Sequence, residues 1–136
     1  MSDNGTALDE LLKSSLETVE GLIDRVCPVA DIQKSSGPLA IYDQQDESEE
    51  DAIDGLTGLA SSVFKIHVLH GTYERMRLLS ERVKSAILGM RQRVEGSLFV
   101  EGVTVKLASP DIYEDRVQLY RRSYQVTIQY QFKEEQ

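Results

Sequence analysis

The stretch Leu119-Tyr-Arg-Arg-Ser-Tyr-Gln-Val-Thr-Ile-Gln-Tyr-Gln-Phe132 decides how this chain folds. Within it Tyr124, Val126, Ile128, Tyr130 and Phe132 alternate with Gln125, Thr127, Gln129 and Gln131. Successive side chains on a strand point to opposite faces, so this period-two pattern predicts a half-buried antiparallel strand. Its β-branched and aromatic content agrees. The outward set is amide and hydroxyl rather than charge. Free strand edges are usually blunted with charge, so an uncharged one is expected to be covered, for instance by a partner chain.

Composition sets the frame around that strand. A chain of 136 residues is expected to form one domain with a core large enough to stand without disulfide or metal staples. Hydrophobic residues make up 40% and charged residues 28%, ordinary values for a globular protein. The formal net charge of −8 argues against sequence-blind DNA binding and against an anionic membrane surface. Cys27 is the only cysteine, which excludes an internal disulfide and suits a reducing compartment. No apolar run approaches a membrane span, and Met1 to Gly5 lacks the features of a signal peptide, so cytosolic synthesis is expected, with residues 1–5 flexible.

Upstream, Leu8, Leu11, Leu12, Leu16, Val19, Leu22, Ile23 and Val26 recur at helical spacing. With Thr6 placed to cap orphan amides and Pro28 placed to stop the chain, the expected helix runs from about Ala7 to Val26. Asp31 to Pro38 reads as a loop and Leu39 to Asp43 as a short strand. Asp43, Asp46, Glu47, Glu49, Glu50, Asp51 and Asp54 follow with no basic residue among them. Like charges so dense repel one another, which predicts a mobile acidic loop over residues 43–55. Ser61 to Leu69 is the next strand, with Phe64, Ile66 and Val68 facing the core and Lys65 and His67 opposite.

Thr72 caps a second helix whose apolar stripe is Met76, Leu79, Val83, Ala86, Ile87 and Met90, and Gly89 is expected to end it in a left-handed conformation. The polar face carries Arg75, Arg77, Arg82, Lys84, Arg91 and Arg93 against Glu74 and Glu81. Leu98 to Val100 and Val103 to Leu107 are two short strand candidates about Glu101-Gly102. Ser109-Pro110-Asp111 turns the chain towards its closing strand. The predicted fold is α+β: an antiparallel sheet of at least four strands with two helices on one face, in the order α-β-β-α-β-β.

Nothing in this chain assembles an enzyme's constellation. His67 and His70 stand three apart on a strand and point to opposite faces, so they cannot share a metal. Cys27 beside Pro28 reads as a small apolar residue. Ser62-Val-Phe-Lys65 fits an S-x-x-K pattern, but that chemistry needs both side chains on one helical face. The glycines Gly55 and Gly58 lack the lysine of a phosphate loop. No cofactor is implied. Tyr120, Arg121 and Arg122 open the last strand and are of types enriched at interfaces.

Three blocks carry a family resemblance. They are Pro38-Leu-Ala-Ile-Tyr42; Gly55-Leu-Thr-Gly-Leu-Ala-Ser-Ser-Val-Phe-Lys-Ile-His-Val68 with Tyr73 and the helix to Gly89; and Leu119-Tyr-Arg-Arg-Ser-Tyr124 with its strand. In order and spacing the chain resembles the tail-completion, or tail-terminator, proteins of long-tailed bacteriophages, over roughly Leu8 to Phe132. The acidic run from Asp43 to Asp54 is longer and more charged than that pattern. The resemblance implies a virion protein, made in the host cytoplasm, that forms a six-membered ring of its own copies. Such a ring caps the tail-tube protein, meets a head-connector or stopper protein, and lets DNA pass without specific binding. Neither enzymatic activity nor membrane contact is implied. Two alternatives remain open at this level: another head–tail neck component, or a cytosolic dimeric binding module. For a ring, the subunit-interface or lumen candidates are the seven acids from Asp43 to Asp54, together with Arg75, Arg82, Lys84, Tyr120, Arg121 and Arg122.

Overall fold

The computed structural model describes residues 3–19, 22, 26–28, 38–49, 59–92, 94–95 and 98–132. Helix α1 spans Asp3–Glu17 and buries Leu8, Leu11, Leu12 and Leu16. It starts before Thr6 and stops well short of Val26, so the expected span is corrected at both ends. Around its end the Thr18 hydroxyl donates to the Ser15 carbonyl at 2.6 Å, and the Val19 amide bonds Leu16 at 3.1 Å. A threonine that bonds backbone locally competes with the helical ladder. The apolar spacing continues past this point because Val19, Leu22 and Val26 are also buried, but burial there does not require a helix.

Val26 belongs instead to β1 (Val26–Pro28), which pairs in parallel with β2 (Leu39–Glu49). Pro28 fits an edge position, where its missing N–H costs no ladder bond. β2 is much longer than the predicted Leu39–Asp43. It runs antiparallel to β3 (Leu59–His70), with an irregularity between Gln44 and Asp46. Asp43, Asp46, Glu47 and Glu49 therefore occupy a paired strand rather than a loop, whereas Glu50, Asp51 and Asp54 lie outside the described residues.

Helix α2 (Tyr73–Leu88) begins as expected, the Thr72 hydroxyl accepting from the Arg75 amide at 3.2 Å. Its end differs. Gly89 has φ −69°, an ordinary right-handed value, and the left-handed residue is Gln92 with φ 65°. The turn is fixed there because the Gln92 amide donates to the Val100 carbonyl at 2.8 Å.

Beyond it come β4 (Val94–Glu95), β5 (Leu98–Leu107), β6 (Ile112–Glu114) and β7 (Leu119–Phe132). The two strand candidates about Glu101-Gly102 are one strand, β5, with a register shift between Val100 and Gly102 that takes up the extra residue. Among the described residues the result is a seven-stranded sheet in the order β1-β2-β3-β7-β5-β4, with β6 also on β7. All pairings except β1–β2 are antiparallel. The α+β class is as expected, with β1, β4 and β6 adding short strands to the predicted order. β7 lies between β3 and β5 and so is a central strand, which corrects the reading of it as an edge.

Both helices cover one face. Their leucines, Val83 and Ile87 join Phe64, Ile66 and Val68 of β3 and Tyr124, Val126, Ile128 and Tyr130 of β7 in one core. A second, smaller cluster of Leu39, Ile41, Leu69 and Leu119, with Val117 against it, comes from positions of opposite parity on the same strands. It lies on the other face of the sheet, at the end where β7 begins.

Candidate assembly surfaces

The face of the sheet that no helix covers among the described residues is built by the alternate residues of four long strands. Register places Asp43 opposite Lys65, Lys65 opposite Gln125, and Gln125 opposite Lys106, a cross-strand row over β2, β3, β7 and β5. Thr127 stands beside Val63 and Thr104, and Gln129 beside Ser61 and Gly102. This surface is polar and mostly uncharged, as the alternation in the closing strand indicated. His67 faces it too, its Nδ1 2.7 Å from the Ser123 hydroxyl. Burial is the main reason its pKa falls below the ordinary value, with Arg121 and Lys65 acting the same way. His70 points elsewhere and accepts the Gly71 amide at 2.7 Å, so the two histidines do not converge.

At the end of the sheet where β7 begins, Tyr120, Arg121 and Arg122 take separate roles. Arg122 reaches from the helix face to Asp111, and its Nη1 approaches Glu81 of α2 at 3.7 Å. Arg121 pairs with Glu114 of β6 at 2.9 Å. Tyr120 packs against Tyr113 with ring centroids 4.9 Å apart and planes tilted by 59°, and meets Tyr73 edge-on at 5.9 Å. Tyr73 and Tyr113 remain exposed, as does Ile112. Sequence reasoning missed Asp111 and Tyr73 as partners. The turn Ser109-Pro110-Asp111 was legible, but nothing local said that its carboxylate would meet an arginine across the sheet.

Arg75 and Arg82 are exposed on α2 and Lys84 is half-buried. Arg82 lines a shallow groove with Thr18, Val19, Glu81, Ser85 and Ala86 between the ends of the two helices. The acids on β2 and the cations on α2 thus sit on different elements, one at a flank of the sheet and one in the helix layer. At the opposite flank, β5 carries Lys106 and exposed Leu107, and the Arg91 guanidinium donates to the Val103 carbonyl at 3.5 Å. Ser62 of the S-x-x-K pattern is buried 3.3 Å from the Tyr130 hydroxyl, and strand parity sends Lys65 to the other face. Among the described residues no cluster of His, Cys, Asp and Glu could hold a metal ion, and no helix is long and apolar enough to cross a membrane.

No family model matches this chain, and no curated protein matches it in sequence. Solved structures do match in shape. A chain from the virion of a native gene transfer agent particle superposes with a TM-score of 0.65 at 14% identity, covering 93% of this chain and 96% of that one. The bacteriophage SPP1 gp17 protein superposes with a TM-score of 0.52 at 16% identity, covering 90% of this chain and 88% of that one. At such low identity the likeness is one of fold. It extends over nearly the whole of each chain, so the helix-covered sheet described above is the shared architecture.

Proposed function

We propose that this chain is a structural virion protein of the head–tail junction, a tail terminator that closes the finished tail tube as a ring. The single observation that carries the reading is the match over 93% of this chain and 96% of a chain from a gene transfer agent virion. The likeness to the SPP1 gp17 protein points the same way, as do the sequence blocks around Tyr42, Val68 and Tyr124. In this reading the partners are further copies of the chain, the tail-tube protein below and a head-connector or stopper protein above. DNA passes through the opening.

A ring joins one surface of each subunit to a different surface of its neighbour. Segregated charge suits that need, because complementary patches choose register and suppress wrong pairings. Asp43, Asp46, Glu47 and Glu49 along β2 supply one sign of charge, and Arg75, Arg82 and Lys84 on α2 supply the other. Apolar and backbone contacts supply the adhesion, since exposed ion pairs contribute only about 0–1 kcal/mol each.

The test is to mix purified protein with tubes of its cognate tail-tube protein and image the tube ends by cryo-electron microscopy, with native mass measured in parallel. A closed ring seated on the tube end is the expected result. Binding to the head connector alone would move the protein to another neck position. A monomer or dimer that ignores both would overturn the virion reading in favour of a small binding module.

A further inference from the structure

Sheet order and strand direction together suggest how one subunit meets the next. From Gln44 to Glu49, β2 has β3 as its one strand neighbour among the described residues, because β1 pairs only as far as Tyr42. At the other flank β4 covers only Leu98 and Phe99, so from Thr104 to Leu107 β5 has β7 as its one strand neighbour. Among the described residues the sheet therefore ends in two edges, Gln44 to Glu49 and Thr104 to Leu107, that have no second strand beside them. β2, β3, β7 and β5 each run antiparallel to the one before, so the two edge strands run in opposite directions. Copies related by rotation about an axis along the strands would bring β5 of one against β2 of the next antiparallel, with the helix layer on the same side throughout.

We infer that subunits join by antiparallel pairing of the β5 edge of one copy with the β2 edge of the next, with a second copy of this chain as the occupant of each edge. This rests on the ring reading above. Charge decides between this pairing and its rivals. The β2 edge carries Asp46, Glu47 and Glu49 and no base, whereas the β5 edge carries Lys106 and no acid after Glu101. Pairing β2 with β2 would set carboxylates against carboxylates, and like charges directly opposite destabilise a ladder. Pairing β5 with β2 sets Lys106 on the same sheet face as the Asp46 position, which register puts opposite Val63. Leu107, 58% exposed, adds apolar contact at the same edge. Rotation that keeps the thicker helix layer outside turns the face bearing Gln125, Thr127 and Thr104 towards the opening.

Disulfide trapping tests the inference. In a full-length Cys27→Ser background, Thr104→Cys is combined in turn with Asp46→Cys and Ser48→Cys, strand positions whose partners Val63 and Ser61 share the face of Thr104, and each protein is oxidised on the assembled ring. One or two of these combinations should give a ladder of covalent multimers on a non-reducing gel. In parallel, Lys106→Glu should weaken subunit association about threefold to fivefold per interface, with recovery when Asp46→Lys is added. A covalent dimer from Thr104→Cys alone would show that β5 pairs with β5 and overturn the inference. Rings visible by negative stain that give no ladder from any combination and ignore Lys106→Glu would overturn it too, while leaving the terminator reading intact. Absence of rings on tube ends from the unmodified protein would instead remove that reading.

Discussion

Arg122 holds Asp111 through two nitrogens, Nε to Oδ1 at 2.9 Å and Nη2 to Oδ2 at 2.8 Å. The Tyr73 hydroxyl donates to the same carboxylate at 2.9 Å, and Glu81 stands 3.7 Å from the remaining guanidinium nitrogen. A paired fork of this kind fixes geometry as well as adding energy. Here it ties the turn before β6 to the start of β7 and to α2. The exposed tyrosines beside it are thereby set on a rigid base.

The first prediction concerns that fork. Arg122 is mostly buried, with its side chain 13% exposed, so Asp111→Asn leaves a charge short of its partner. The expected loss of stability is about 1–3 kcal/mol, and Tyr73→Phe should cost less. Urea unfolding measures both. Equal and negligible losses would show the fork to be a surface ornament.

Acid should act on the same contact. Its hydrogen bonds with Arg122 are the first cause of an Asp111 pKa below the usual carboxylate value. Folding lowers that pKa, so its contribution is complete above the unfolded value of about 3.9 and is lost as pH falls through the folded value. His67 has the same sign for another reason: burial lowers its pKa, so protonation favours the unfolded chain. Stability should therefore decline first as pH drops through and below the ordinary histidine range of about 6.5, then again below about 4. Proton titration by NMR should place the His67 midpoint below its ordinary value. A midpoint above that value would mean that His67 gains a carboxylate partner on folding.

The two faces of the sheet predict opposite responses. Ile128 is fully buried between Val103 and Ser62 on neighbouring strands, and Ile128→Ala should cost about 2–5 kcal/mol. Thr127, on the uncovered face, should tolerate Thr127→Ala within about 0.5 kcal/mol in the free subunit. Chemical denaturation of the two variants side by side checks the assignment. A reversed order would mean the faces have been exchanged.

Much of this architecture was legible because it depends on period and local capping. The alternation from Tyr124 to Tyr130 gave the core face of β7, and Thr72 with its following stripe gave α2. What failed depends on tertiary context. Val26 keeps helical spacing with Leu22, yet a parallel pairing with Ala40 takes it into the sheet. Asp46, Glu47 and Glu49 read as a loop by charge repulsion, but a long partner strand supplies ladder bonds that local repulsion does not prevent. Gly89 had the residue type for a left-handed cap, whereas the conformation fell to Gln92, where the Val100 carbonyl sits. The Arg122–Asp111 fork joins a turn to a strand across the fold, and no local pattern encodes such a meeting.

Neutralising the acids tests their part in assembly. Asp46→Asn, Glu47→Gln, Glu49→Gln and Glu50→Gln together should lower ring formation on tail tubes while leaving the monomer folded. Each exposed pair contributes only about 0–1 kcal/mol, so single changes should be nearly silent and the combined variant should not be. The defect should also resemble that of the unmodified protein at high salt, which screens exposed charge. Normal rings from the combined variant at low salt would leave the acidic stretch without a role between subunits.

The last prediction concerns the genome that would pass through the ring. A wall that gripped phosphate would release counterions at every contact and hold the polymer by their sum, with an affinity falling steeply as salt rises. This chain carries a net charge of −8, and the uncovered face offers amides and hydroxyls from Gln125, Thr127, Gln129 and Thr104 between two lysines, Lys65 and Lys106, with Asp43 opposite one of them. Net repulsion with a polar wall lets a like-charged polymer slide. Assembled rings should therefore fail to retard linear duplex DNA in a gel even at low salt, and single-molecule traces should show no pausing as DNA is drawn through. Lys65→Gln at the wall should change neither result. Retention of DNA at low salt that weakens in proportion to added salt would instead identify a nucleic-acid-gripping connector, with Lys65, Lys106 and Arg121 as the first residues to remove.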